Sequence, residues 1–465
     1  MSTGSKEISK ELIDSLCAEF ESDPQQKLMQ NILTKNELLA LRVSRDRTQV
    51  YANPHQFLVQ VTPRTKVSDQ KSSGRCWEFA AHNVIRRAMI EKFNLPLDWE
   101  FSQSFFFFWD KFERMNYNML RIIDTVLEPC DSRIVQHLLS DPTCDGGQWD
   151  MFCNIVAKHG MVPKAVYPES VHSSKTRALN TVLKRLFRKT AMRIRTVCYA
   201  RADDDDMDTC HSLLDTFRKD VYCILCKTLG TPPNSFVWKD CDKAGKMIPP
   251  AYAPVDVEMT PLEFYNKVVP FDHRDYVCLI NDPRNSYNWY YTVKYLGNVE
   301  GGAPVNYLNT EIEEMKMAVQ TSLNNNQAVW FGCDVAKEKN GVMLDDQLDD
   351  TDALLNVDMT MTKEERLLSG ESLMTHAMVI TGCDDQLSEP RFYEVENSWG
   401  AEGNKKETGG YYCMSDTWFS KWVYEVVVRK EHLPKGISRL IEKGPELMVG
   451  VTELPPWDPM GSLAM

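Results

Sequence analysis

Apolar positions along the chain change period twice. Ile8, Leu12, Leu16 and Phe20 recur at helical spacing, so residues 5–22 are predicted as an amphipathic helix closed at Ser22-Asp23-Pro24. A second helical stripe, Leu179, Val182, Leu183, Leu186 and Phe187, runs through residues 176–195. Residues 213–229 continue helically up to Pro232-Pro233, and Thr260-Pro261-Leu262-Glu263 reads as a helix start with proline at its first position. After residue 325 the pattern becomes strand-like at residues 328–335, 377–381, 391–396, 410–414 and 423–428. Residues 450–465 are proline-rich and aperiodic, which predicts an extended tail. Helices first and strands afterwards predict an α+β fold.

Bulk properties narrow the class. The 465 residues are 43% hydrophobic and 26% charged, as in an ordinary globular protein with a large core. No run approaches 18 uninterrupted apolar residues, so no membrane span is predicted. The first 23 residues carry dispersed charges and lack the apolar centre of a secretion signal, which predicts a cytoplasmic location. The 14 cysteines are scattered, and Cys198, Cys278, Cys333 and Cys413 lie in apolar runs; they are read as reduced core residues. Cys223-Ile224-Leu225-Cys226 has no second pair at zinc spacing and is read as part of a buried element. A net charge of −13 disfavours nucleic acid as a general partner. Residues 175–201 nevertheless hold nine basic residues and no acidic one, followed by Asp203 to Asp206. Two readings stay open for that segment: a solvated or subunit-pairing helix face, and a basic groove for nucleic acid or acidic peptides.

The segment Gln70-Lys71-Ser72-Ser73-Gly74-Arg75-Cys76-Trp77 carries the candidate chemistry. A cysteine in the first turn of a helix meets unpaired backbone N–H groups and the positive end of the helix dipole. A glutamine amide six residues earlier can donate to an oxyanion. Such a nucleophile needs a base and an orienter. His376, opening the apolar run His376-Ala377-Met378-Val379-Ile380, and Asn397, in Asn397-Ser398-Trp399-Gly400, supply them. Trp399 is read as a core aromatic, as a shield over His376, or as both. His82 and His159 are assigned structural roles.

These residues, in this order, resemble papain-type cysteine peptidases. Asp145-Gly146-Gly147-Gln148-Trp149 adds to the likeness. The interval from Cys76 to His376 is about 300 residues, against roughly 130–150 in the simpler members, so about half of it is inserted structure. The chain is similar to the bleomycin hydrolase branch over nearly its whole length. The matching segments include Phe101-Ser102-Gln103-Ser104, Asn281-Asp282-Pro283-Arg284, Trp330-Phe331-Gly332-Cys333-Asp334 and Pro456-Trp457-Asp458-Pro459.

The resemblance implies a papain-like fold: a helical subdomain, a β-barrel-like subdomain, a large helical insertion and an extended C-terminal arm. The predicted division is a helical arm at 1–65 packing on the catalytic unit, the Cys76 half at 66–170 and a mostly helical insertion at 171–325. The β half with His376 and Asn397 follows at 326–449, and the arm entering the cleft at 450–465. It also implies a thiol-dependent aminopeptidase and amide hydrolase, with Cys76 as nucleophile, His376 as base, Asn397 as orienter and Gln70 in the oxyanion hole. Gly146, Gly147, Trp399, Ala464 and Met465 would contact substrate. No metal or organic cofactor is implied. The implied partners are peptides and small amides with a free amine, homocysteine thiolactone among the substrates, and five further copies in a homohexamer; weak nucleic-acid binding is the alternative partner. Glu78 departs from the pattern, because a carboxylate two residues from Cys76 opposes a thiolate. It raises the alternative of a weakened or inactive ring that binds nucleic acid or peptides.

Overall fold

The computed structural model describes residues 7–51, 57–200, 208–248, 257–384, 391–402, 405–447 and 450–462. Its centre is the helix Cys76–Phe93, packed on a twelve-stranded sheet. Asn94, in the left-handed conformation at φ 51°, ends that helix. Nearly all of its residues are buried, on every side, so it lacks the one-sided pattern of a surface helix.

The strand His376–Cys383 is buried at all eight positions, between Val329–Cys333 and Phe392–Glu396, both antiparallel to it. Such two-sided burial explains its continuous apolar run. His376 sits at the end of that strand, opposite Cys333. Val423–Arg429 and Tyr276–Ile280 extend the sheet on one side, Tyr411–Ser415 on the other.

A second core lies among the helices Gln103–Asp124, Arg177–Ala200 and Asp208–Leu229, which bury Leu183, Phe187, Ile194, Phe217 and Leu225 together. The span 171–325 is not helical throughout: strands lie between its helices Arg177–Ala200, Asp208–Leu229, Pro261–Lys267 and Ile312–Asn324. Tyr276–Ile280, Trp289–Val293 and Tyr307–Asn309 join the main sheet instead. Strands of three to five residues carry too few positions for a period, and partners distant in the chain define them.

The N-terminal segment divides in two. Arg42 and Arg47 pair with Asp349 and Asp345, which docks residues 42–51 on the β half. The helices Lys10–Ser22 and Pro24–Leu33 bury no residue, and Leu12, Ile13 and Leu16 stay exposed. This part therefore does not pack into its own catalytic unit as the sequence suggested.

Cys198, expected as a reduced core residue, is disulfide-bonded to Cys210. The facing ends of the two insertion helices bring their Cα atoms to 6.3 Å. The other described cysteines are free.

Candidate active site

Cys76 is the first residue of its helix and is fully buried. The backbone N–H groups of Trp77 and of Ala377, the residue after His376, lie against its sulfur and favour the thiolate. That contact brings the nucleophile helix against the end of the histidine strand. His376 Nε2–H donates to Asn397 Oδ1 at 2.9 Å, which leaves Nδ1 as the acceptor on the imidazole. Trp399 lies over the imidazole, with ring centroids 4.7 Å apart and planes at 39°.

Burial sets the protonation of the pair. It pushes the Cys76 thiol up to about 12, although the backbone N–H groups oppose the rise. It also pushes the His376 imidazole down to about 4, against the opposing effect of Asn397. Both shifts favour the neutral thiol and neutral imidazole. The helix terminus alone does not stabilise a thiolate here, because desolvation outweighs it.

Gln70 is buried beside this pair. Its Nε2 donates to the Ser73 carbonyl at 2.7 Å, while Ser73 Oγ returns a bond to the Gln70 carbonyl at 2.6 Å. The Gln70 backbone N–H donates to Ser398 O at 2.9 Å, tying the glutamine turn to the asparagine loop. A nitrogen with two N–H groups keeps one donor beyond Ser73.

Gly146 and Gly147 are buried next to Trp77. A Cβ at Gly147 would come within 2.7 Å of the Trp77 ring, so this approach requires glycine. Trp77 Nε1 donates to the Asp145 carbonyl at 2.6 Å, and Lys111 Nζ holds the Asp145 carboxylate at 2.6 Å. The Gly-Gly segment is thereby pinned to the cysteine helix.

Glu78 points away from solvent, with no hydrogen bond to either carboxyl oxygen. Arg75 Nη1 is 3.5 Å away, but its guanidinium is engaged by both oxygens of Glu169, at 3.1 and 2.9 Å. Burial holds the Glu78 carboxyl well above the usual carboxylate range, which favours its neutral form.

The C-terminal arm reaches this site. Arg284 pairs with Asp458 at 2.8 Å, and Tyr307 OH donates to Met460 O at 3.3 Å. Gln148 Nε2 donates to Ser462 O at 2.9 Å, and Ser462 Oγ donates to Met374 O at 3.0 Å. Ser462 thus bridges the Gly-Gly wall and the segment just before His376. Ala464 and Met465, the proposed substrate contacts, lie outside the described residues.

The histidines read as structural are placed elsewhere. His82 Nδ1–H donates to Glu78 O at 2.7 Å among Phe101, Phe106 and Phe152. His159 bonds Glu113 at 2.7 Å and stacks on Trp109.

Sequence reasoning missed the clamp behind the site. Glu396, the residue before Asn397, is fully buried and pairs with Arg86 at 2.7 Å and with Arg87, both from the cysteine helix. Two adjacent arginines amid Ala80, Ala81, Val84, Ile85, Met89 and Ile90 were the available signal.

The Peptidase C1-like family profile matches residues 7–461. Rat bleomycin hydrolase is 41% identical, covering 98% of this chain and 99% of its own length. The human bleomycin hydrolase is 40% identical, with the same coverage. Aminopeptidase C of Lactobacillus delbrueckii subsp. lactis is 37% identical over 99% of both chains. The crystal structure of PepW from Lactobacillus rhamnosis HN001 superposes with a TM-score of 0.91, at 38% identity, over 99% of this chain and 100% of that one. The chain is therefore an α+β cysteine peptidase that belongs to the Peptidase C1-like family, with bleomycin hydrolase and aminopeptidase C among its relatives.

Proposed function

We propose that this chain is a cytoplasmic aminopeptidase and amide hydrolase acting through an acyl-enzyme on Cys76. The carrying observation is that one strand end supplies both the base and a contact to the nucleophile. His376 is anchored at Nε2 by Asn397, and the next backbone N–H meets the Cys76 sulfur. The thiol proton passes to His376 Nδ1 as sulfur bonds the substrate carbonyl carbon. The Cys76 backbone N–H and the Gln70 amide receive the oxyanion. Collapse breaks the C–N bond, and His376 returns the proton to the departing amine. Water, activated by the same imidazole, then releases the acid.

N-terminal specificity is assigned to the arm. Ser462 is fixed across the cleft by Gln148 and Met374, which holds the arm at the site. A terminal carboxylate there would pair with the substrate ammonium and exclude internal peptide positions. Homocysteine thiolactone, with a free amine beside an acyl group, fits the same arrangement. The exposed apolar side of the N-terminal helices supports assembly into the expected homohexamer. Glu78, whose carboxyl burial holds well above the usual carboxylate range, gives no support to the silenced-site alternative.

Labelling by a thiol-directed epoxide tests the reading. One adduct at Cys76, with parallel loss of aminoacyl-amide hydrolysis, is expected. Full activity in the labelled enzyme would overturn it. Sedimentation tests the hexamer, and cell fractionation the location.

A further inference from the structure

We propose that one side of the insertion helix Arg177–Ala200 is a subsite selecting acidic residues in the peptide beyond the scissile bond; this rests on the aminopeptidase reading above. A cleft of about 850 Å³ opens between the active-site turn and that helix. Gln70 and Trp399 line its inner end; Arg177, Thr181, Lys184, Arg185 and Arg188 line its outer wall. Those five positions lie on one helical face, while Leu179, Leu183, Phe187 and Ala191 turn the opposite face into the second core. Four of the nine basic residues noted in the sequence, Arg177, Lys184, Arg185 and Arg188, therefore face the cleft.

The wall is fixed relative to the chemistry. Ser72 N–H donates to Ser174 O at 3.0 Å, and Thr176 N–H donates to Ser72 O at 3.4 Å, stitching the helix start to the Gln70 turn. Asn180 Nδ2 donates to Asp145 Oδ1 at 2.8 Å. From Arg177 to Arg188 the helix rises about 16 Å, the reach of roughly five extended residues.

Direction follows from the arm. The arm's Gly461 and Ser462 line a neighbouring cavity, and the two cavities share Asp141 and Cys144. No described arm residue lines the larger cleft. A peptide with its amine at the arm and its first carbonyl at Cys76 and Gln70 sends its leaving segment along the basic wall.

The charges differ in availability. Lys184 is paired with Asp141 at 2.6 Å, and Arg188 donates to the carbonyls of Leu139 and Ser140. Arg177 and Arg185 are exposed and have no ion pair among the described residues. Two guanidiniums without an ion pair among the described residues suit carboxylates of a short peptide. A chain of net charge −13, with two cations at this wall that lack an ion pair among the described residues, is poorly matched to a polyanion.

The test compares three peptides sharing their first two residues and carrying Asp, Asn or Lys at the third and fourth. Each exposed pair supplies a modest gain, so kcat/KM should favour Asp over Asn by roughly three- to tenfold at low salt. Lys should be disfavoured, and added salt should flatten the series. In the double variant Arg177→Ala, Arg185→Ala the Asp/Asn ratio should fall to about one. Ratios within one enzyme cancel any general loss of fold or chemistry. An Asp/Asn ratio near one in the parent, or an undiminished ratio in the double variant, overturns the subsite while leaving amide hydrolysis intact. A short single-stranded oligonucleotide that inhibits the parent but not the double variant, with no charge preference among peptides, would make the wall a nucleic-acid site and also overturn it. Failure of the parent to hydrolyse any aminoacyl amide would instead overturn the aminopeptidase reading beneath it.

Discussion

Arg86 Nη2 lies 2.7 Å from Glu396 Oε1, and both side chains are fully buried. The pair joins the helix that begins with Cys76 to the residue preceding Asn397. Cys76 and Asn397 come from opposite walls, so their separation depends on this clamp and on the Gln70–Ser398 bond. Replacing Glu396 by Ala leaves Arg86 and Arg87 without their carboxylate, at a cost of about 3–5 kcal/mol. Urea unfolding should show that loss as a lower midpoint at unchanged slope. A midpoint within error of the parent would remove the clamp from the account.

Asn397→Ala deletes the acceptor on His376 Nε2 and frees the ring to turn. The expected result is a fall in kcat/KM on the order of 10²-fold, carried by kcat, because ground-state binding does not use this bond. An equal fall carried by KM would assign Asn397 to binding.

The pH profile follows from the lowered imidazole. His376 accepts the thiol proton only when neutral, and it is neutral above its pKa. With that value pushed down to about 4, the acid limb of kcat/KM for the free enzyme should fall near pH 4 and not near 6.5. Rates on an uncharged-side-chain amide between about pH 3.5 and 9 would show this. An acid limb at 6 or above would mean that the imidazole is more solvated than its burial indicates.

Glu78 gives a stability prediction with a definite sign. Its carboxyl binds a proton more tightly folded than unfolded, so the penalty is absent below about 4.5 and grows as pH rises above it. Glu78→Gln keeps the shape and removes the titration. The melting temperature should therefore rise relative to the parent at about pH 8 and match it at about pH 4. A drop at pH 8 would show that the carboxylate is ionised and paired with Arg75.

Removing residues 456–465 deletes the arm's anchors at Asp458, Met460 and Ser462. Cleavage should shift from N-terminal trimming toward internal bonds, and an N-acetylated peptide refused by the parent should become a substrate. Mass spectrometry of the products reads this directly. An unchanged product pattern would remove the arm from specificity.

The sequence carried the proposed reacting groups clearly because each stands in a short local motif: Cys76 behind a glycine turn, His376 at a strand start, Asn397 before Ser-Trp-Gly. It did not carry the clamp. Arg86-Arg87 looks like a solvent face until Glu396, more than 300 positions away, is seen to lie against it. The strands between 276 and 309 were hidden for a related reason, since Tyr307–Asn309 is defined by Tyr276–Ile280 and not by its own three residues. Glu78 was visible as an anomaly, but its protonation depends on burial, which no local pattern reports.

The central claim is that Cys76 forms the acyl-enzyme, and hydrolysis of an aminoacyl amide by the folded Cys76→Ala protein tests it most directly. The account predicts no turnover above the uncatalysed rate, with the melting temperature retained. Turnover within tenfold of the parent would contradict it.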